Sequence, residues 1–103
     1  MSQHVISWED VPEEVDACGI GRRRLERPGM SLVRVRVPQG IKGTKHSHPH
    51  EQVVHVLSGS GQLTTEAGKV AFCGGSIFVF PRDTWHIADF DADSVLVESN
   101  LPG

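Results

Sequence analysis

Tyrosine is absent from this chain, and cysteine appears only as Cys18 and Cys73. Two cysteines do not make the disulfide framework of a small secreted protein, so a reduced, cytoplasmic protein is expected. Neither sign of charge dominates. Ten Lys and Arg against thirteen Asp and Glu give a formal net charge of −3, which offers no electrostatic footprint for nucleic acid or an anionic membrane. No apolar run approaches the roughly 20 residues of a membrane-spanning helix. The polar start Met1-Ser2-Gln3-His4 does not read as a secretory leader. Helix signal is scarce as well: only Trp8 to Val15 could form a turn of helix, and Pro12 interrupts it. What the 103 residues do contain is eleven glycines, six prolines and six histidines, within 38% hydrophobic and 22% charged content. Such a composition and length describe one globular domain over residues 1–103, punctuated into short elements.

Between the Gly and Pro turns the hydrophobic period is two. Met30 to Val37 alternates, with Val33, Val35 and Val37 on one face and Arg34 and Arg36 on the other. Glu51 to Leu57 predicts a second strand, closed by Ser58-Gly59-Ser60-Gly61. Gln62 to Glu66 and Lys69 to Cys73 predict a hairpin around Ala67-Gly68. Ser76 to Phe80, Trp85 to Ala88 and Ser94 to Leu101 complete the set, with an acidic turn from Asp89 to Asp93. About eight to ten short strands imply an all-β sandwich or barrel. Its edges need cover, which pairing in a homodimer through the N-terminal strands would supply.

The densest chemistry lies in His46-Ser47-His48-Pro49-His50-Glu51-Gln52. Positions 46, 48 and 52 share parity, so on extended chain they face one side, with Pro49 interrupting the ladder. Two imidazoles on an inward face are costly unless something satisfies their nitrogens. A divalent transition metal does so, at about 2.0–2.1 Å for zinc. Gln52 would add a neutral oxygen, and His86, following Pro81-Arg82-Asp83-Thr84-Trp85, could close the site. Three His and one amide oxygen leave positions open for a ligand and suit Mn, Fe, Ni or Zn.

The two segments resemble the paired motifs of the cupin superfamily. The first, over residues 40–59, carries Gly40, His46, His48, Gln52 and Gly59; the second, over residues 75–86, carries Gly75, Pro81 and His86. The resemblance implies a small double-stranded β-helix (jelly-roll, RmlC-like) barrel with His46, His48, Gln52 and His86 as metal ligands. Three positions depart from the family pattern. Gln52 stands where most cupins carry a ligating Glu, Asp83 where the second motif has Gly, and Phe90 where it often has Asn. Gln in place of Glu leaves the donor set neutral, so the site keeps the full +2 charge of its metal and favours an anionic ligand. The stretch His46 to Val53 looks closest to the small cupins that include the uronate-linearising enzymes of pectin and alginate breakdown. In those enzymes an acidic residue and an Arg in the C-terminal segment assist the metal; this chain has Glu98 there and no Arg.

Glu98, within a strand, is the expected catalytic carboxylate, ahead of Asp89 and Asp91 in their turn. His55, of opposite parity, is expected on the outer face, and His50 near the rim. Phe78, Phe80 and Trp85 are candidate pocket residues that equally suit a core. Arg22-Arg23-Arg24 reads as a solvated run from which one side chain could reach an anion, and Cys73 as a small buried residue. Three functions compete. The first is an enzyme using a Lewis-acid metal for isomerase or lyase chemistry on a small sugar acid or carboxylate; the second is an iron dioxygenase. The third is a non-catalytic module that binds a small molecule or metal.

Overall fold

A computed structural model describes residues 4–102; of the polar start, only the exposed His4 is among them. The backbone forms ten strands: β1 (Glu13–Val15), β2 (Gly21–Arg27), β3 (Met30–Val37), β4 (His46–Ser47), β5 (Gln52–Ser58), β6 (Ser60–Thr65), β7 (Gly68–Cys73), β8 (Ile77–Phe80), β9 (Trp85–Phe90) and β10 (Ser94–Asn100). A six-stranded antiparallel sheet runs β1-β2-β3-β10-β5-β8, and a four-stranded sheet runs β4-β9-β6-β7. The architecture is all-β, a jelly-roll barrel with its core between the two inner faces.

Alternation dictates which side chains fill that core. Val33, Val35 and Val37 of β3, Val54 and Val56 of β5 and Leu96 of β10 are buried and cluster with Phe72, Phe78, Phe80 and Phe90. Arg34 and Arg36 face outward as expected, Arg36 paired with Glu13 of β1 at 3.1 Å. Phe72 meets Phe78 and Phe90 edge-on, at centroid distances of 5.1 and 5.5 Å, the geometry that aromatic quadrupoles favour. Gly61 is buried in β6, opposite both Phe72 and Phe90. A Cβ there would strike the Asp89 carbonyl oxygen and the Phe72 ring, so only glycine lets β6 and β9 approach.

The structure corrects four local expectations. The helical turn shrinks to a 3₁₀ turn, Trp8–Asp10, capped by Ser7; beyond Pro12 the chain pairs with β2 as β1. β2 itself, Gly-Arg-Arg-Arg-Leu-Glu-Arg, carries no apolar alternation and is a strand because it pairs with β3 along its whole length. The usable sign was Pro28-Gly29, with Gly29 at φ 80°, the proline-glycine pair of a type II turn. Asp89 and Phe90 continue β9, so the acidic turn is confined to residues 91–93. Cys73 is exposed, because β7 buries Phe72 and so turns its neighbour outward.

Candidate metal centre

β4 and β9 pair with His46 directly opposite His86, which puts both rings on one side of the sheet. His48 follows β4, and its carbonyl oxygen accepts the Asp83 N–H at 2.7 Å. That bond ties the histidine stretch to the turn leading into β9. Asp83 sits at φ 65°, in the left-handed region; the family's glycine at this position answers to the same backbone demand, which Asp tolerates better than most residues. The three ring centroids lie 4.2 Å (46–86), 5.1 Å (46–48) and 5.6 Å (48–86) apart. One nitrogen from each of His46, His48 and His86 falls within 4.8 Å of the others, a group able to hold a metal ion.

The electrostatics of the rings fit that use. His86 is only 4% exposed and stacks face to face on Phe80 at 3.8 Å. Burial, followed by the neighbouring His46 and His48, lowers its pKa to about 4. Burial, with His46 and His50 beside it, also lowers that of His48. Neutral imidazole is the form that ligates metals. The Nδ1 of His86 is buried without a hydrogen-bond partner, an unpaid cost in the protein alone. His46 Nδ1 lies 2.9 Å from the Thr44 carbonyl oxygen; donation there leaves the Nε2 lone pair for a cation. The chemistry of these donors therefore fits a divalent transition metal.

The other half of the site comes from the six-stranded sheet. The chain bends at Pro49-His50, so His46 and Gln52 belong to different sheets rather than one extended strand. Gln52 is buried in β5 between Asn100 of β10 and Phe80 of β8. Its Nε2 donates to Asn100 Oδ1 at 2.9 Å. The same oxygen lies 3.1 Å from His50 Nε2, while Asn100 Nδ2 donates to Ser31 Oγ at 3.1 Å. Two residues earlier on β10, Glu98 faces inward between Val33 and Val54. Burial raises its pKa, against the opposing pull of Arg22, Arg24, His46 and His50. The ion pairs of Arg22 and Arg24 run instead to Asp16 and Glu26.

A cavity of about 330 Å³ joins these groups, bordered by His46, Gln52, His86 and Glu98 and floored by apolar side chains that include Phe78, Phe80 and Phe90. Arg22 and Cys18 also reach it. His50 stacks on His48 at 5.1 Å, beside the site as expected, and borders a second depression. Other residues lie elsewhere. His55 is exposed on the outer face of β5. Trp85 lines a groove between β7 and β8, with Lys45 Nζ 4.4 Å above its ring. Asp89 accepts the Gly43 N–H at 3.1 Å, and Asp91 accepts from Ser60 Oγ. Asn100 and Ser31 are the residues to which the sequence assigned no role; of the run Arg22-Arg23-Arg24, from which one side chain could reach an anion, it is Arg22 that lines the cavity. Asn100 carries no motif, and strand parity with Glu98 was the only available sign.

The cupin domain matches residues 33–100, and no curated protein matches the chain significantly in sequence. In fold the chain is similar to an RmlC-like cupin from Shewanella frigidimarina NCIMB 400, with TM-score 0.88 and 23% identity over 99% of this chain and 93% of that one. It is similar to KdgF from Halomonas sp., with TM-score 0.82 and 28% identity over 92% of this chain and 89% of that one. It also superimposes on part of Bacillus subtilis oxalate decarboxylase, a protein with Mn(II) centres, with TM-score 0.80 and 20% identity over 95% of this chain and 29% of that one. With the matched domain spanning more than half of its length, the chain belongs to the cupin family, with an RmlC-like fold.

Proposed function

We propose that this cupin is a metal-dependent enzyme of isomerase or lyase type acting on a small carboxylate-bearing molecule. The carrying observation is a cluster of three histidines, two with depressed pKa, of which His46 and His86 open onto the same cavity as Glu98. His46, His48 and His86 would hold the metal, and Gln52 would complete the set through its Oε1, the atom left free when Nε2 donates to Asn100. A divalent ion held there supplies Lewis acidity toward a carbonyl or carboxylate oxygen. Because every ligand is neutral, the site attracts an anion; Arg22 and Lys42 at the same cavity add to that attraction. Glu98 moves the proton. Burial favours its protonated form, which brings a carboxyl nearer to the poise a general acid or base needs. Gln52, His86 and Glu98 act from strands of six or seven residues, which keeps the proton carrier in fixed geometry beside the histidines.

The protein acts in the cytoplasm, in keeping with two free thiols; no helix among the described residues is long and apolar enough to cross a membrane. It works as a homodimer joined through its N-terminal segment. β1 is the outermost strand of its sheet, and Val5, Ile6 and Val15 nearby are all about half or more exposed. Sedimentation equilibrium of the wild type and of Val15→Arg tests this: the wild type sediments as a dimer and the variant as a monomer.

Elemental analysis of protein purified without an affinity tag, repeated on His86→Ala, tests the metal reading. About one metal per chain in the wild type and none in the variant is the expected result. Manganese, nickel or zinc directs assays to isomerisation and elimination on carboxylates, whereas iron directs them to oxygen uptake. No metal in either protein, even after reloading, overturns the proposal.

A further inference from the structure

The inward residues of three strands run from polar to apolar in the same spatial direction. On β5 the inward order is Gln52, Val54, Val56, and on β10 it is Asn100, Glu98, Leu96, with Gln52 opposite Asn100, Val54 opposite Glu98 and Val56 opposite Leu96. On β9 it is His86, Ala88, Phe90, with Ala88 paired to Leu63 and Phe90 to Gly61. His46, His86, Gln52 and Glu98 border one end of the cavity, and beyond them lie the apolar Val35, Val54, Phe78, Ala88, Phe90 and Leu96; Arg22, in register with Val35, and Lys42 and Thr44 also line it. None of the six apolar side chains can donate or accept a hydrogen bond.

From this gradient we infer that the ligand has a polar head and a short hydrocarbon body: a branched-chain or arylalkyl carboxylic acid, not a polyhydroxylated one. The head rests on the metal reading above; the body rests on the lining alone and departs from the uronates that the sequence resemblance implies. A sugar acid carries a hydroxyl on nearly every carbon. Each hydroxyl taken from water into the apolar end without a partner lowers affinity by about tenfold to a hundredfold. Three of the polar groups at the cavity are already committed: Gln52 Nε2 to Asn100, His46 Nδ1 to Thr44, and Arg22 Nη1 to Asp16. A methyl-branched or phenyl body instead leaves water for matching apolar walls. At water's share of about 30 Å³ per molecule, the cavity holds roughly ten non-hydrogen atoms, a fit for 4-methylpentanoate or 3-phenylpropanoate.

The experiment compares 4-methylpentanoate, 3-phenylpropanoate and D-galacturonate by calorimetry on the full chain, with metal content measured on the same preparation. The two hydrocarbon acids should bind at least tenfold tighter than galacturonate. Ala88→Leu, which fills the apolar end, should weaken them at least tenfold at unchanged metal content. Equal or tighter binding of galacturonate overturns the inference, as does failure of both hydrocarbon acids on protein carrying one metal per chain. A second measurement removes the head from the question: methyl shifts of Val35, Val54 and Leu96 in metal-free protein, titrated with 3-methylbutan-1-ol and with glycerol. Shifts with the alcohol and none with glycerol support the body assignment even if no metal is found, in which case only the metal reading falls. Shifts with glycerol alone, or with neither, overturn it.

Discussion

The two halves of the site are held by different means. His46 and His86 come from the four-stranded sheet, where His46 sits on a strand of two residues, while His48 is anchored by one bond from the Asp83 turn. Gln52, Glu98 and Asn100 come from the six-stranded sheet, on strands of seven residues paired on both sides. On the first side, three closely spaced rings and an unpartnered buried nitrogen leave a need that a cation meets. On the second, register and a chain of amide hydrogen bonds make the geometry complete in the protein alone. A metal, if bound, would serve the ring half most; the amide half is held by its own hydrogen bonds.

The sharpest way to break this comparison is His48→Ala. Metal should fall from about one per chain to none by elemental analysis, while circular dichroism still reports a folded β protein. Full occupancy in the variant would remove His48 from the ligand set. Next in size is Gly61→Ala, which forces apart β6 and β9 behind His86. Chemical denaturation should show a loss of about 2 kcal/mol, and an unchanged midpoint would mean that the sheet yields more easily than its packing suggests.

The two halves should also answer pH in opposite directions in metal-free protein. His86 has a folded-state pKa of about 4, below the ordinary 6.5. As pH falls from 6.5 toward 4 the unfolded chain takes a proton that the folded chain refuses, so stability present above 6.5 is lost. Glu98 is raised, so its contribution is full below about 4.5 and declines as pH rises through its folded value. Thermal melts across pH should therefore show His86→Gln flattening the acid limb. Glu98→Gln should melt above the wild type at pH 8 and level with it at pH 4. A Glu98→Gln variant less stable at pH 8 would mean that the carboxylate is paired rather than merely buried. The smallest effect belongs to Asp83. Asp83→Gly should be near neutral and Asp83→Val should cost about 1 kcal/mol, read by the same denaturation; equal costs for both would mean that the positive φ is not what the turn selects for.

Much of this molecule is legible along the chain. Strand β3 runs over the residues its alternation predicts, and the β6–β7 hairpin forms as expected, with its turn at Glu66-Ala67, one residue before the Ala67-Gly68 its turn residues suggest. His46, His48 and His86 were recognisable by spacing, because turns of fixed length carry them to one place. Gln52 was found by parity, although the bend at Pro49-His50 rather than a continuous strand delivers it. Asn100 was not legible as a site residue: it lies in no motif and meets Gln52 only through pairing with a strand distant in sequence. Arg22 was legible only as one of three arginines from which a side chain could reach an anion.

The sequence by itself determined the all-β class, the two histidine-bearing segments and the outward placement of Arg34, Arg36 and His55, because strand alternation and turn chemistry are local properties. Only the tertiary structure decided that β10 lies between β3 and β5. That placement buries Glu98 in an apolar row and sets Asn100 against Gln52. It also aligns the inward faces of β5 and β10 so that both run from polar to apolar in the same direction. The physical reason is that register between distant strands is set by burying both inner faces at once, a cooperative condition that no single segment carries.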